Sequence, residues 1–275
     1  MQEGKKREIR IKADSFRVKC KISRYGIIDL FKECERLGYK LLRYPLGEKA
    51  DLGFNIKKDN DIIIFTNSCS RLSREIFTLA HEIGHSILHL EVENSFIDDN
   101  MTITGRSTDE KEQEANYFAA CLLMPFDDVG RFVDLEIENF EKDGFSALDI
   151  ARIMSEFNVS FDMALNRLES LGFIDSNQKL CLDNEKTEKK VGNLLRSVGG
   201  NAKLNMPSNE ISIPYEYIDY VIYNYNHNAI PKETLKKVLA CYQLSIEDIS
   251  DKLVEPVSND EADLDLDELI GGLND

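Results

Sequence analysis

Phe77-Thr78-Leu79-Ala80-His81-Glu82-Ile83-Gly84-His85 is the stretch on which the fold turns. It sits inside a longer run, Ser70 to Leu90, whose apolar residues Ile76, Leu79, Ala80, Ile83, Ile87 and Leu90 recur with helical spacing. At about 100° per residue these six share one side, and Thr78, His81, Glu82, His85 and His89 fall on the other. A helix capped by Ser70 is expected, with one stripe in the core and a polar face toward a cleft. His81 and His85 stand one turn apart on that face, so both imidazoles reach one ion, as in a His-Glu-x-x-His zinc helix. Glu82 lies where a carboxylate takes the proton of a zinc-bound water. Three of the chain's four histidines lie between positions 81 and 89, which concentrates the metal-binding expectation there. Gly84, costing roughly 0.5–1 kcal/mol mid-helix, points to a neighbour packed close, either a backbone, a substrate or a facing helix.

Two histidines do not complete a catalytic site, which needs three protein ligands and one open position. His89 lies eight residues from His81, roughly 12 Å along a continuous helix, too far to share the ion. It is expected to support the ligands or to pack. Downstream, Asp109 to Pro125 reads as a second helix that opens after Ser107 or Thr108, carries acids in its first turn and stops at Pro125. Glu112, Ala115, Asn116, Ala119 and Leu123 share a face whose small alanines permit close approach. Glu112 is the favoured third ligand, with Glu110 and Glu114 as alternatives. Glu114 points more than a quarter turn away, toward Phe118 and Cys121. Asn116, one turn beyond Glu112, is placed to hydrogen-bond a zinc-bound histidine.

These two blocks, Phe77 to His85 and then Glu112-x-x-Ala-Asn-x-Phe-Ala-Ala-x-Leu-Leu-Met-Pro125, resemble the ImmA/IrrE family of metallo-endopeptidases. Gly53 to Asn67 resembles that family's strand pair before the zinc helix. The resemblance extends over about residues 20–175 and thins beyond. It implies His81, His85 and Glu112 as ligands of one zinc ion and Glu82 as general base. It also implies a gluzincin-like bacterial or mobile-element peptidase, several relatives of which cleave helix-turn-helix repressors and so act as anti-repressors.

The rest of the chain sets bounds. With 275 residues it is long enough for a full core. No apolar run approaches the roughly 18–20 residues that span a bilayer, and no signal peptide is expected. Six scattered cysteines without a CxxC pair suit reduced thiols, hence a cytoplasmic setting. The net charge of −16 disfavours nucleic acid as a partner and favours protein.

The expected class is α+β. A zincin-like peptidase core with a small sheet and two ligand-bearing helices occupies residues 1–135. Within it Tyr25 to Leu37 reads as a helix, Lys40 to Tyr44 as a strand, and Asp51–Ile56 with Asp61–Thr66 as a hairpin turning at 57–60, with Ile62 to Phe65 buried. Glu91 to Arg106 reads as an irregular loop. A helix-turn-helix-like segment packed on the core follows at 136–182. Its second helix offers only Arg167 against Asp162 and Glu169, too little for a recognition helix. A polar linker is expected at 183–213, a small tyrosine-rich helical module at 214–256, and an acidic disordered tail at 257–275.

The expected function is zinc-dependent hydrolysis of a peptide bond in a protein, a helix-turn-helix repressor by resemblance. A second oxyanion donor is needed; Tyr117 and His227 are the candidates. The competing expectation is a regulatory or antitoxin-like protein that keeps the fold but acts by binding alone.

Overall fold

The computed structural model describes residues 1–47, 49–50, 52–58, 61–90, 95–98, 109–138, 144–214 and 216–254. The chain divides into two compact units, Met1–Pro214 and Tyr215–Asp275. The class is α+β, as expected.

The first unit opens with a helix that the sequence reading missed, α1 (Glu3–Arg17). Its buried residues Ile9, Ala13 and Phe16 follow an i, i+4, i+7 spacing, a narrow stripe in a heavily charged segment. Arg17 is buried at its end, donating to the carbonyls of Leu122 and Tyr25 and to Asp128 Oδ2. Helix α2 (Leu30–Arg36) begins five residues later than expected, capped by Asp29, whose side chain accepts from the Lys32 amide. Tyr25 and Gly26 are not helical, because their amides donate to Glu156 Oε1 at 3.0 and 3.2 Å. A remote carboxylate thus replaces the helical hydrogen bonds.

Strands β1 (Lys40–Tyr44), β2 (Gly53–Lys58), β3 (Asp61–Asn67) and β4 (Ser95–Asp98) form one sheet in the order β1-β3-β2-β4. β1 runs parallel to β3, while β2 runs antiparallel to both β3 and β4. Lys58 pairs with Asp61, so strand pairing extends into the expected turn at 57–60, of which 59–60 lie outside the described residues. Ile64 and Phe65 are buried, whereas Ile62 and Ile63 are only half-buried. β4 corrects the expectation of an irregular loop at 91–106. A four-residue strand is held by cross-strand hydrogen bonds to β2, which local sequence does not report.

Helix α3 (Leu72–Leu88) carries the His-Glu-x-x-His residues, and α4 (Glu110–Leu123) packs on it. α3 starts at Arg71 rather than Ser70 and has no side-chain cap. The Leu72 amide instead donates to the Met206 carbonyl at 2.8 Å. α4 is capped by Asp109, which accepts from the Lys111 amide. Then come α5 (Phe126–Glu136), α6 (Ala147–Phe157) and α7 (Phe161–Ser170). α6 has a capping box of Ser146 and Asp149 and ends on Asn158 at φ 56°. α6 and α7 share one hydrophobic core with α3 and α4. Arg167, the lone cation of the helix-turn-helix-like α7, is buried and donates from Nε to the Met124 carbonyl at 2.9 Å. It therefore serves packing.

The expected linker at 183–213 is ordered structure. The end of α8 (Ser176–Lys189), α9 (Val191–Ser197) and a 3-10 turn (Ala202–Asn205) occupy it, and Leu194, Leu195 and Leu204, with Leu182 just before it, are buried in the main core. Four leucines scattered through polar sequence suffice because the surface that covers them belongs to α6 and α3. Ser208 Oγ then donates to Glu75 Oε2 at 2.9 Å. Glu75, buried in α3, also takes two hydrogen bonds from Arg43 at 2.8 and 3.0 Å and one from Thr66 at 3.0 Å. That network joins β1, β3, α3 and the segment after the 3-10 turn.

The second unit holds α10 (Glu216–Asn226), α11 (Lys232–Cys241) and a 3-10 helix (Glu247–Lys252) around Ile218, Ile222, Leu235, Leu239 and Ile249. Tyr220 and Tyr223 of the tyrosine cluster are exposed. The expected acidic tail at 257–275 lies outside the described residues.

Candidate metal centre

α3 buries Ile76, Leu79, Ala80 and Ile83 on its core side, as its apolar periodicity requires. Its other face is also enclosed: His81, Glu82 and His85 are each 0% exposed. Gly84 explains part of that enclosure. A Cβ built there would lie 3.2 Å from both the Cα and the carbonyl oxygen of Ala115 and 3.2 Å from Phe118 Cβ. The close neighbour at Gly84 is therefore the backbone of α4. That contact brings Glu112 and Asn116, one turn apart on α4, against the histidines.

His81 Nε2 and His85 Nε2 lie 2.9 Å apart. Glu112 Oε2 is 3.2 Å from the first and Oε1 is 3.3 Å from the second. Ligands at zinc–nitrogen and zinc–oxygen distances of about 2.0–2.1 Å, arranged tetrahedrally, lie roughly 3.3 Å from each other. The edges of this triangle approach that value, and the three groups form the one metal-competent cluster among the described residues.

The outer hydrogen bonds decide what these atoms offer. Asn116 Oδ1 lies 3.0 Å from His81 Nδ1, and an amide oxygen only accepts, so Nδ1 bears the proton and Nε2 presents its lone pair. His89 caps α3, which ends at Leu88, and its ring turns back on His85. His89 Nε2 donates to Glu114 Oε2 at 3.1 Å, which leaves His89 Nδ1 to accept from His85 Nδ1 at 3.0 Å. Burial pushes His89 below its ordinary pKa, against the opposing effect of its hydrogen bond to Glu114, and so favours this neutral form. His85 Nε2 then also presents a lone pair. Two lone pairs and a carboxylate converge on one point, and only positive charge at that point relieves them. Glu112 Oε2 has no hydrogen-bond partner, as expected for an atom that faces a cation site. The donor set fits zinc.

Of the alternative ligands, Glu114 is committed to His89 and to Lys5 Nζ at 3.3 Å, and Glu110 is exposed. Glu82 is held by Asn55, whose Nδ2 donates to Glu82 Oε2 at 2.5 Å and to the Glu82 carbonyl at 3.2 Å. Asn55 was missed by the sequence reading. Its strand-mates on the same face are Gly53 and Lys57, so no local pattern marked it, and only the structure shows the amide fully buried. Gly53 leaves room for the carboxylate, since a Cβ there would lie 2.9 Å from Glu82 Oε1. Of the two candidate oxyanion donors, Tyr117 does not join this group. Tyr117 is five residues beyond Glu112, roughly 140° round the helix, and pairs with Cys121. His227 belongs to the second unit, stacked on Tyr223 and bonded to that residue's carbonyl.

An α+β core with a His-Glu-x-x-His helix, a glutamate from a second helix and an ordered carboxylate beside them defines a zincin-like metallopeptidase. Residues 34–169 match the Peptidase_M78 family, described as an IrrE N-terminal-like domain, and this region of the chain belongs to that family. No curated protein matches it. No helix among the described residues is long and apolar enough to cross a membrane.

Proposed function

We propose that this metallopeptidase is a zinc endopeptidase whose substrate is a protein, a helix-turn-helix repressor, and that cleavage relieves repression. The observation that carries the zinc reading is the convergence of His81 Nε2, His85 Nε2 and the Glu112 carboxylate. A zinc ion held there supplies a Lewis acid that polarises the peptide carbonyl and lowers the pKa of water toward about 7. Glu82 takes the proton of the attacking water and passes it to the leaving amine. Asn55 fixes the Glu82 carboxylate through Oε2, so the base meets the reaction already oriented. Asn116 and the His89–Glu114 pair hold the two imidazoles in the tautomer that binds metal. The repressor substrate is supported by the resemblance of the two sequence blocks to peptidases with that role.

The test is co-expression with each repressor-like gene encoded nearby, wild type against Glu82→Gln. Truncated repressor with the wild type alone is the expected result. Derepression that survives Glu82→Gln without any truncated product would refute the proteolytic reading and leave the binding protein.

A further inference from the structure

The ligand-bearing face of α3 continues toward its N-terminus into a groove. Arg74 lies seven residues before His81, roughly 10 Å along the axis and within about 20° of the same direction. Arg71 lies one turn further out. Both line a groove of about 970 Å³ whose other walls include Phe77 of α3, Phe161 and Met163 of α7, and Lys190.

The charge of this groove contrasts with that of the chain. The whole chain carries a net charge of −16. The groove instead gathers Arg71, Arg74, Lys186 and Lys190 against the single acid Asp162. Lys186 is neutralised by Asp162 and Asp183. Arg71, Arg74 and Lys190 have no carboxylate partner among the described residues. Arg74 is half-buried, and burial together with neighbouring Arg71 disfavours its charge. Two like charges side by side on one wall of a groove attract an anionic group. The walls between them are aromatic and thioether side chains, which suit the apolar side chains of a peptide.

We propose that this groove is a substrate subsite that selects acidic residues of a protein. Three to five extended residues span roughly 10–17 Å. A polypeptide whose scissile bond lies over His81 and Glu82 therefore reaches Arg74 and Arg71 with side chains three to five positions away. The scissile-bond register rests on the endopeptidase reading; the preference for acidic peptide stands without it.

The experiment uses full-length Glu82→Gln protein and a fluorescein-labelled peptide of about 12 residues carrying four acids, with matched peptides in which the acids become amides or lysines. Fluorescence anisotropy at about 50 and 300 mM salt measures binding. The acidic peptide is expected to bind at least about tenfold tighter than the amide peptide, and to lose most of that margin at the higher salt. Arg71→Glu with Arg74→Glu is expected to abolish the preference and to favour the lysine peptide, with an unchanged circular-dichroism spectrum. Equal binding of the three peptides, or a preference untouched by the double variant, overturns the proposal. So does arginine-dependent binding of a single-stranded oligonucleotide tighter than that of the acidic peptide, which would assign the groove to nucleic acid. The same peptides offered to zinc-loaded wild type separate the two readings. No cleavage with the acid preference retained defeats the peptidase and keeps the groove, while cleavage without the preference does the reverse.

Discussion

Gly84→Ala tests the contact that builds the metal centre. In an uncrowded helix this change stabilises by roughly 0.5–1 kcal/mol, because alanine loses less backbone entropy. Here the new methyl would sit 3.2 Å from the Ala115 Cα, the Ala115 carbonyl and Phe118 Cβ. Optimal carbon–carbon separation is roughly 3.5–4.0 Å, so α4 must retreat by a few tenths of an ångström. Overpacking of this kind costs about 1–3 kcal/mol, which outweighs the propensity gain. Net destabilisation of about 1 kcal/mol is expected in urea denaturation of the metal-free protein. The retreat carries Glu112 with it, and metal sites tolerate only about ±0.2 Å. Zinc affinity, measured by competition with a chromogenic chelator, is therefore expected to fall by about tenfold. Gly130→Ala is the control. It also lies within a helix, α5, but its nearest outside neighbour to a Cβ is Phe173 Cζ at 3.8 Å, an ordinary contact. That variant should gain stability. If Gly84→Ala gains as much as Gly130→Ala and binds zinc unchanged, the close approach of α3 and α4 does not set the site.

Glu114→Leu removes the acceptor that orients His89 and, through it, His85; zinc affinity should fall by about 10–100-fold, less than for Glu112→Gln, by the same chelator competition. Glu75→Gln weakens the pairing of the largely buried Arg43 and should cost about 3–5 kcal/mol in thermal or urea unfolding, whereas a loss under 1 kcal/mol would remove the Arg43–Glu75–Ser208 network from the fold's support. Thiol titration with Ellman's reagent should modify exposed Cys181 first. Cys20 and Cys34 should react only on unfolding, since burial pushes Cys20 up to about 11 and Cys34 well above its ordinary value.

The helix of His81 and His85 was legible because its information is local. Its apolar stripe has the helical period, and two histidines at i and i+4 meet on any helix. Glu112 and Asn116 were legible for the same reason, as a face on a second periodic segment. What failed was whatever depends on a remote partner. Tyr25 to Ile28 lacks helix because Glu156, 130 residues on, takes two of its amides. Arg71 begins α3 because Met206 satisfies the first amide from outside. The supposed linker at 183–213 is ordered because Leu194, Leu195 and Leu204 find cover on the core.

The sequence by itself thus determined which residue types carry the chemistry and on which helices they ride, since period and spacing survive without knowledge of neighbours. Only the tertiary structure decided the orientation of those residues. Gly84 against Ala115 sets the distance between the helices. Asn55 from β2 orients Glu82. His89, set aside from the sequence as too distant to be a ligand, returns as the link between His85 and Glu114 because α3 ends one residue before it. Each of these depends on groups far apart in the chain meeting within hydrogen-bond or van der Waals reach, and no local pattern encodes such meetings.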